Sequence, residues 1–167
     1  WLPADASEGW RTSRANEVAA ARIGLPYNLD NWGGYPAART RLLRSARDAD
    51  ANLVVLAGDS HNGWANDLID DGEHLGVEFA TQSVTSSGYE GAVRGIDRVR
   101  VETAFAAASE ELRWCNIGDR GYMMLHITPR RVSNAWIATD DVTTRSAAGR
   151  TVQQMHVLRG RPSLIDG

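Results

Sequence analysis

The sequence predicts an α/β protein, and three stretches carry that reading. "PAARTRLLRSARDAD" has helical periodicity, and "LVVLA" directly after it is a wholly apolar run of strand length. "GYMMLHIT", "RRVSNAWIAT" and "TVQQMHVLRG" then read as three strands separated by turns or polar loops, closing the chain in antiparallel fashion.

Taken in order, the first 35 residues are punctuated by Ala, Gly and Pro, with turn chemistry at Asn31, Gly33, Gly34 and Pro36. Pro36 suits the first turn of the helix that follows, where a missing N–H costs nothing. Tyr35, Ala38, Leu42, Leu43 and Ala46 form its apolar stripe, and Arg39, Arg41, Arg44 and Arg47 fall on or beside the wetter face. "LVVLA" has no polar alternation, so it suits a strand covered on both faces. A polar loop, "GDSHNGWAND", is expected after it. Then come an acidic turn "DDGEH", a short strand "GVEFAT", and a Ser/Thr/Gly-rich loop "QSVTSSGYEG". Ala and Glu propensity predicts a second helix from Asp97 to Leu112. In "YMMLHI", Met123, Leu125 and Ile127 share one face, and Tyr122, Met124 and His126 the other. The tail "RPSLIDG" reads as peripheral.

At 167 residues the chain is long enough for one domain with a sizeable core, and no repeat or composition break divides it. We read residues 1–167 as a single domain or part of one. The 18 basic residues, all Arg, stand against 21 acidic ones, for a net charge of −3. That balance gives no nucleic-acid-binding signature. No apolar run approaches the length of a membrane span, so no transmembrane segment is expected. Cys115 is alone, which excludes an internal disulfide. The opening Trp1 leads us to expect a processed product or a portion of something longer.

The chemistry concentrates where the apolar run stops, at Gly58-Asp59-Ser60-His61. Ligands collect at strand ends in open α/β sheets. Asp59 and His61 are two apart, so in extended chain both side chains lie on one side, as two ligands of a metal ion do. Carboxylate with imidazole suits a hard or borderline divalent or trivalent ion. Two other readings compete. Ser60 in "GDS" resembles the nucleophile block of the GDS-type serine esterases, with Asp71 and His74 as the sole Asp-x-x-His pair. The third reading is a solvated turn. Asn62 and Asn66 are candidates for phosphate contact or for Asx hydrogen bonding. Arg120 can fork onto a phosphate or pair with Asp119 or another carboxylate. Trp64 is assigned to packing. Ser83, Thr85 and Ser86 either line the cleft or cap their own loop.

Five segments taken together, "GLPYNLDNWGGYPAARTRLL", "NLVVLAGDSHNGWANDL", "GVEFATQSVTSSGYE", "LRWCNIGDRGYMMLHITPRRVSNAWIATDDV" and "TVQQMHVLRG", resemble the C-terminal half of PhoD-type alkaline phosphatases/phosphodiesterases. This group belongs to the metallophosphoesterase superfamily. The resemblance implies a two-sheet sandwich with flanking helices. It implies hydrolysis of phosphate monoesters and diesters by attack of a metal-bound hydroxide, with Asp59 and His61 as catalytic metal ligands. Calcium with iron is the implied metal set, and export to the periplasm or cell exterior the implied destination. The family's iron-ligating cysteine lies in its N-terminal half, so Cys115 does not inherit that role. The other ligand motifs have no counterpart in residues 1–50, so a missing N-terminal half or a partner chain is expected to complete the site. Without that half, an apolar face or open strand edge is expected to be exposed. A non-catalytic fragment or β-rich exported module remains the other alternative.

Overall fold

The computed structural model describes residues 28–91, 93–145 and 148–167, together with 8–13, 15, 19, 22, 23 and 25. A short helix α1 (Glu8–Ser13) precedes a 3-10 turn at Trp32–Gly34, where the Asn31 side chain accepts from Gly33 N at 2.9 Å. Helix α2 (Pro36–Asp48) starts on Pro36. Four strands follow it, β1 (Leu53–Ala57), β2 (Gly63–Asp70), β3 (Glu73–Ala80) and β4 (Leu112–Asn116), with helix α3 (Arg98–Ala108) before β4. The second half is a meander of β5 (Gly121–Ile127), β6 (Arg131–Thr139), β7 (Gly149–Leu158) and β8 (Arg161–Asp166).

The strands form two sheets, ordered β1-β3-β2-β4 and β5-β6-β7-β8. In the first, β1 runs parallel to β3 while the β2–β3 and β2–β4 pairs are antiparallel. The second is antiparallel throughout. The sheets pack face to face, with Ala65, Val77 and Phe79 of the first against Trp136, Met155, Val157 and Leu164 of the second. This is the expected sandwich. Leu43 of α2 seals the outer side of the first sheet over Leu68 and Leu75. Val101 of α3 meets Val93 and Ile117 beside Trp64.

Several elements differ from the sequence expectation. "GWANDLID" is strand β2 rather than loop. Its inward-facing Asp67 is 1% exposed and accepts from Leu164 N at 2.7 Å. The β2–β3 connection is the expected acidic turn, two residues with left-handed backbone at Asp71 and Gly72 (φ 53° and 78°), the Asp-Gly signature of a tight hairpin. Helix α3 stops at Ala108, which leaves Leu112 to begin β4, and the Asp97 carboxylate caps its start by accepting from Arg100 N. The tail is not peripheral: β8 pairs with β7 and buries Leu164. On α2, Leu43 alone of the expected stripe is fully buried, and Arg39 turns inward to pair with Glu111 and donate to Ile69 O. Strand β1 is covered on both faces by Leu53 and Val55 against α2's cluster and Val54 against the inter-sheet core. Leu56, however, stays 53% exposed at the sheet edge. Met123 and Leu125 face the core as expected, whereas Ile127 at the strand end is exposed.

Candidate metal and phosphoester site

Parallel pairing of β1 with β3 delivers their carboxyl ends, Ala57 and Ala80, side by side. The loops that follow, 58–62 and 81–91, therefore emerge together. Thr81 N donates to Ala57 O at 3.0 Å, and Ser83 N to His61 O at 3.2 Å. Gly121 N donates to Ser83 O at 2.9 Å, which brings the second sheet to the same rim.

Asp59 and His61 sit at this rim and are exposed. Their backbone is left-handed (φ 57° and 62°) rather than extended, so strand alternation does not bring them together as the sequence argument supposed. Both residues lie instead in a tight turn, closed by Ser60 N donating to Gly58 O at 2.6 Å. The His61 ring contacts Ser87 O through Nδ1 at 2.8 Å. A carbonyl oxygen can only accept, so this bond puts the proton on Nδ1 and leaves the lone pair on Nε2. An imidazole held in this way is prepared to ligate a metal. Carboxylate plus imidazole fits a divalent or trivalent cation in chemical kind. In number it falls short, because no group of three or more His, Cys, Asp or Glu among the described residues can hold a metal.

The other candidates have partners within the protein. Asn62 is 1% exposed, with Nδ2 donating to Ser60 O at 2.5 Å and Oδ1 accepting from Tyr89 N at 3.0 Å. Arg120 pairs with Glu90, whose carboxylate accepts from Gly88 N at 2.9 Å. Burial lowers the Arg120 pKa from its ordinary value. Ser83 Oγ accepts from Thr85 N and Ser86 N, so that loop caps itself. Trp64 packs edge-on against Tyr89 and Phe105, its indole donating to Ser60 Oγ at 2.7 Å. Asn66 donates to Glu78 on β3 at 3.0 Å.

The esterase triad does not assemble. Asp71 and His74 lie at the opposite end of the eight-residue strand β2, roughly 25 Å along the sheet from Ser60. Cys115 is buried, burial pushes its thiol up to about 12, and it lies against Glu102 O at 3.6 Å. At the neighbouring rim, burial pushes the Asp119 carboxyl up, but Asn116, Arg98 and Arg150 outweigh it and the net shift is downward. Ser87, Gly88, Tyr89 and Glu90 went unassigned in the sequence. The loop was legible as Ser/Thr/Gly-rich, but nothing local links it to residue 61.

The PhoD-like phosphatase family model matches residues 6–136. Alkaline phosphatase D of Bacillus subtilis (strain 168) is 31% identical over 128 residues, which covers 73% of this chain and 21% of that protein. A solved structure described as that of PhoD matches with a TM-score of 0.66 at 27% identity, over 82% of this chain and 26% of the other. The chain thus spans well under a third of the length of either relative.

Proposed function

Because the chain belongs to the PhoD-like phosphatase family, we propose that it carries part of a metal-dependent site that hydrolyses phosphate monoesters and diesters. The observation that supports this best is His61 after the β1 carboxyl end, its Nδ1 proton committed to Ser87 O, with the exposed Asp59 two residues earlier in the same turn. When bound, the cation supplies charge neutralisation at the phosphoryl oxygens and an acidified water. Asp59 offers negative charge to hold it, and His61 offers Nε2. We read the set as calcium with iron, and the protein as exported. No helix among the described residues is long and apolar enough to cross a membrane. The remaining ligands come from chain outside residues 1–167 or from a partner, and the edge of β1 with exposed Leu56 is where we expect that portion to pack.

The test uses the intact protein that contains this chain, assayed on p-nitrophenyl phosphate and bis(p-nitrophenyl) phosphate. Loss of a ligand's supporting partner costs 10–100-fold, so Asp59→Asn and His61→Ala are each expected to cost at least about 100-fold. Chelation is expected to abolish turnover, and metal to restore it. Turnover that survives chelation but disappears in Ser60→Ala would replace this reading with a serine esterase.

A further inference from the structure

The residue after His61 makes contacts that a turn does not need. Asn62 holds Ser60 O through Nδ2 on one side and Tyr89 N through Oδ1 on the other. Ser87, the acceptor for the His61 ring, lies two residues before Tyr89. Residues 61–62 and 87–89 therefore form a closed circuit, with one bond from the ring and one from the neighbouring side chain. Gly88 sits in the middle, and a Cβ there would lie 2.2 Å from Asn62 Oδ1, so the circuit closes only with glycine at that position.

The far side of the circuit is also tied down. Gly88 N donates to both Glu90 oxygens, at 2.9 and 3.2 Å, and Glu90 pairs with Arg120, whose side chain is 12% exposed. Arg120 is in turn fixed to the second sheet, since Thr139 N donates to its carbonyl at 2.8 Å. A path of hydrogen bonds thus runs from the end of β6 through Arg120, Glu90 and Gly88 to the loop that carries Ser87.

We propose that Asn62, backed by the Glu90–Arg120 pair, is a positioning residue that holds Ser87 O against the His61 ring and so keeps Nε2 as the unprotonated, cation-binding nitrogen. Without the Asn62 bridge, the 87–89 segment keeps only the ring bond as its own tie to residues 61–62, and the acceptor moves off Nδ1. Neutral imidazole then populates both tautomers, and the Nε2–H form has no lone pair facing a cation at that nitrogen. The inference rests on the proposed ligand role of His61, but tautomer choice is measurable without any metal.

The experiment uses the intact protein labelled with [15N]histidine. Tautomers are read from ring nitrogen shifts in the metal-free state, and Mn(II) affinity from the free-ion EPR signal. His61→Ala assigns the resonance. Wild type is expected to show Nδ1–H alone. Asn62→Ala is expected to show both tautomers and to bind Mn(II) about 10–100-fold more weakly, and Glu90→Gln to shift both readouts the same way by less. A folded Asn62→Ala with the wild-type tautomer and affinity overturns the proposal. If Asn62→Ala does not fold, Glu90→Gln decides, and wild-type values for it on both readouts overturn the proposal equally. Unchanged Mn(II) affinity in His61→Ala refutes the ligand reading alone, and the tautomer comparison then still decides the positioning role.

Discussion

Replacing Asp67 with alanine tests how the two sheets are joined. The carboxylate accepts from Leu164 N at 2.7 Å and from Arg113 at 2.9 Å, with His74 at 3.7 Å. These partners differ in what they lose. The Arg113 and His74 side chains are 41% and 43% exposed, so both rehydrate when the carboxylate goes, and their pairing is worth little. Leu164 is buried between the sheets, so its N–H cannot reach water. An orphaned buried amide costs about 1–3 kcal/mol. The vacated volume adds about 1 kcal/mol, which brings Asp67→Ala to about 2–4 kcal/mol. Asp67→Asn keeps an oxygen of the same shape for Leu164 and is expected to cost about 1 kcal/mol. Urea midpoints of the intact protein by tryptophan fluorescence, with hydrogen exchange at residues 161–166, measure both. An asparagine variant as damaged as the alanine variant would refute the argument, because charge rather than the acceptor would then dominate. A cost for alanine below about 0.5 kcal/mol would refute it equally.

Burial raises the Glu78 pKa, opposed by the Asn66 hydrogen bond and reinforced by Glu111. An acid raised in the folded state contributes stability that is fully present below its unfolded value of 4.5 and lost as pH rises through the folded one. Glu78→Gln is therefore expected to raise the melting temperature at pH 7.5 and to change nothing below about pH 4; an equal gain at both would count against a charge effect. With its thiol pushed up to about 12, Cys115 is expected to react with a disulfide reagent at pH 8 on the order of a thousandfold more slowly than a free thiol. Unfolding in urea is expected to remove that protection, whereas fast labelling of the native protein would show the cysteine to be accessible.

Much of the fold was legible because its signals are local. The apolar run of β1, the Pro36 start of α2 and the meander from β5 to β7 each declare themselves within one segment. The missed strands share one cause, namely that tertiary contacts override local pattern. Asp67 breaks the alternation of β2 because its partner is Leu164, 97 residues away. Pro162 makes β8 resemble a tail, although as the outermost strand of its sheet it tolerates a missing N–H. Glu110, Glu111 and Leu112 continue the expected helical pattern, which Ser109 ends with extended backbone, so that Leu112 opens β4. The candidate ligands were legible as residue types at a strand end, and the resemblance placed them in a family. What holds His61 was not legible, because Ser87 reaches it only through the parallel pairing of β1 and β3.

The left-handed backbone at Asp59 and His61 sets heat resistance against the ligand role proposed for them. Aspartate and histidine tolerate that region better than most residues, yet each still carries a cost on the order of 1 kcal/mol that glycine does not. A library screened only for survival at high temperature is expected to drift toward glycine at both positions. The survivors would melt later and would have discarded the carboxylate and the imidazole together.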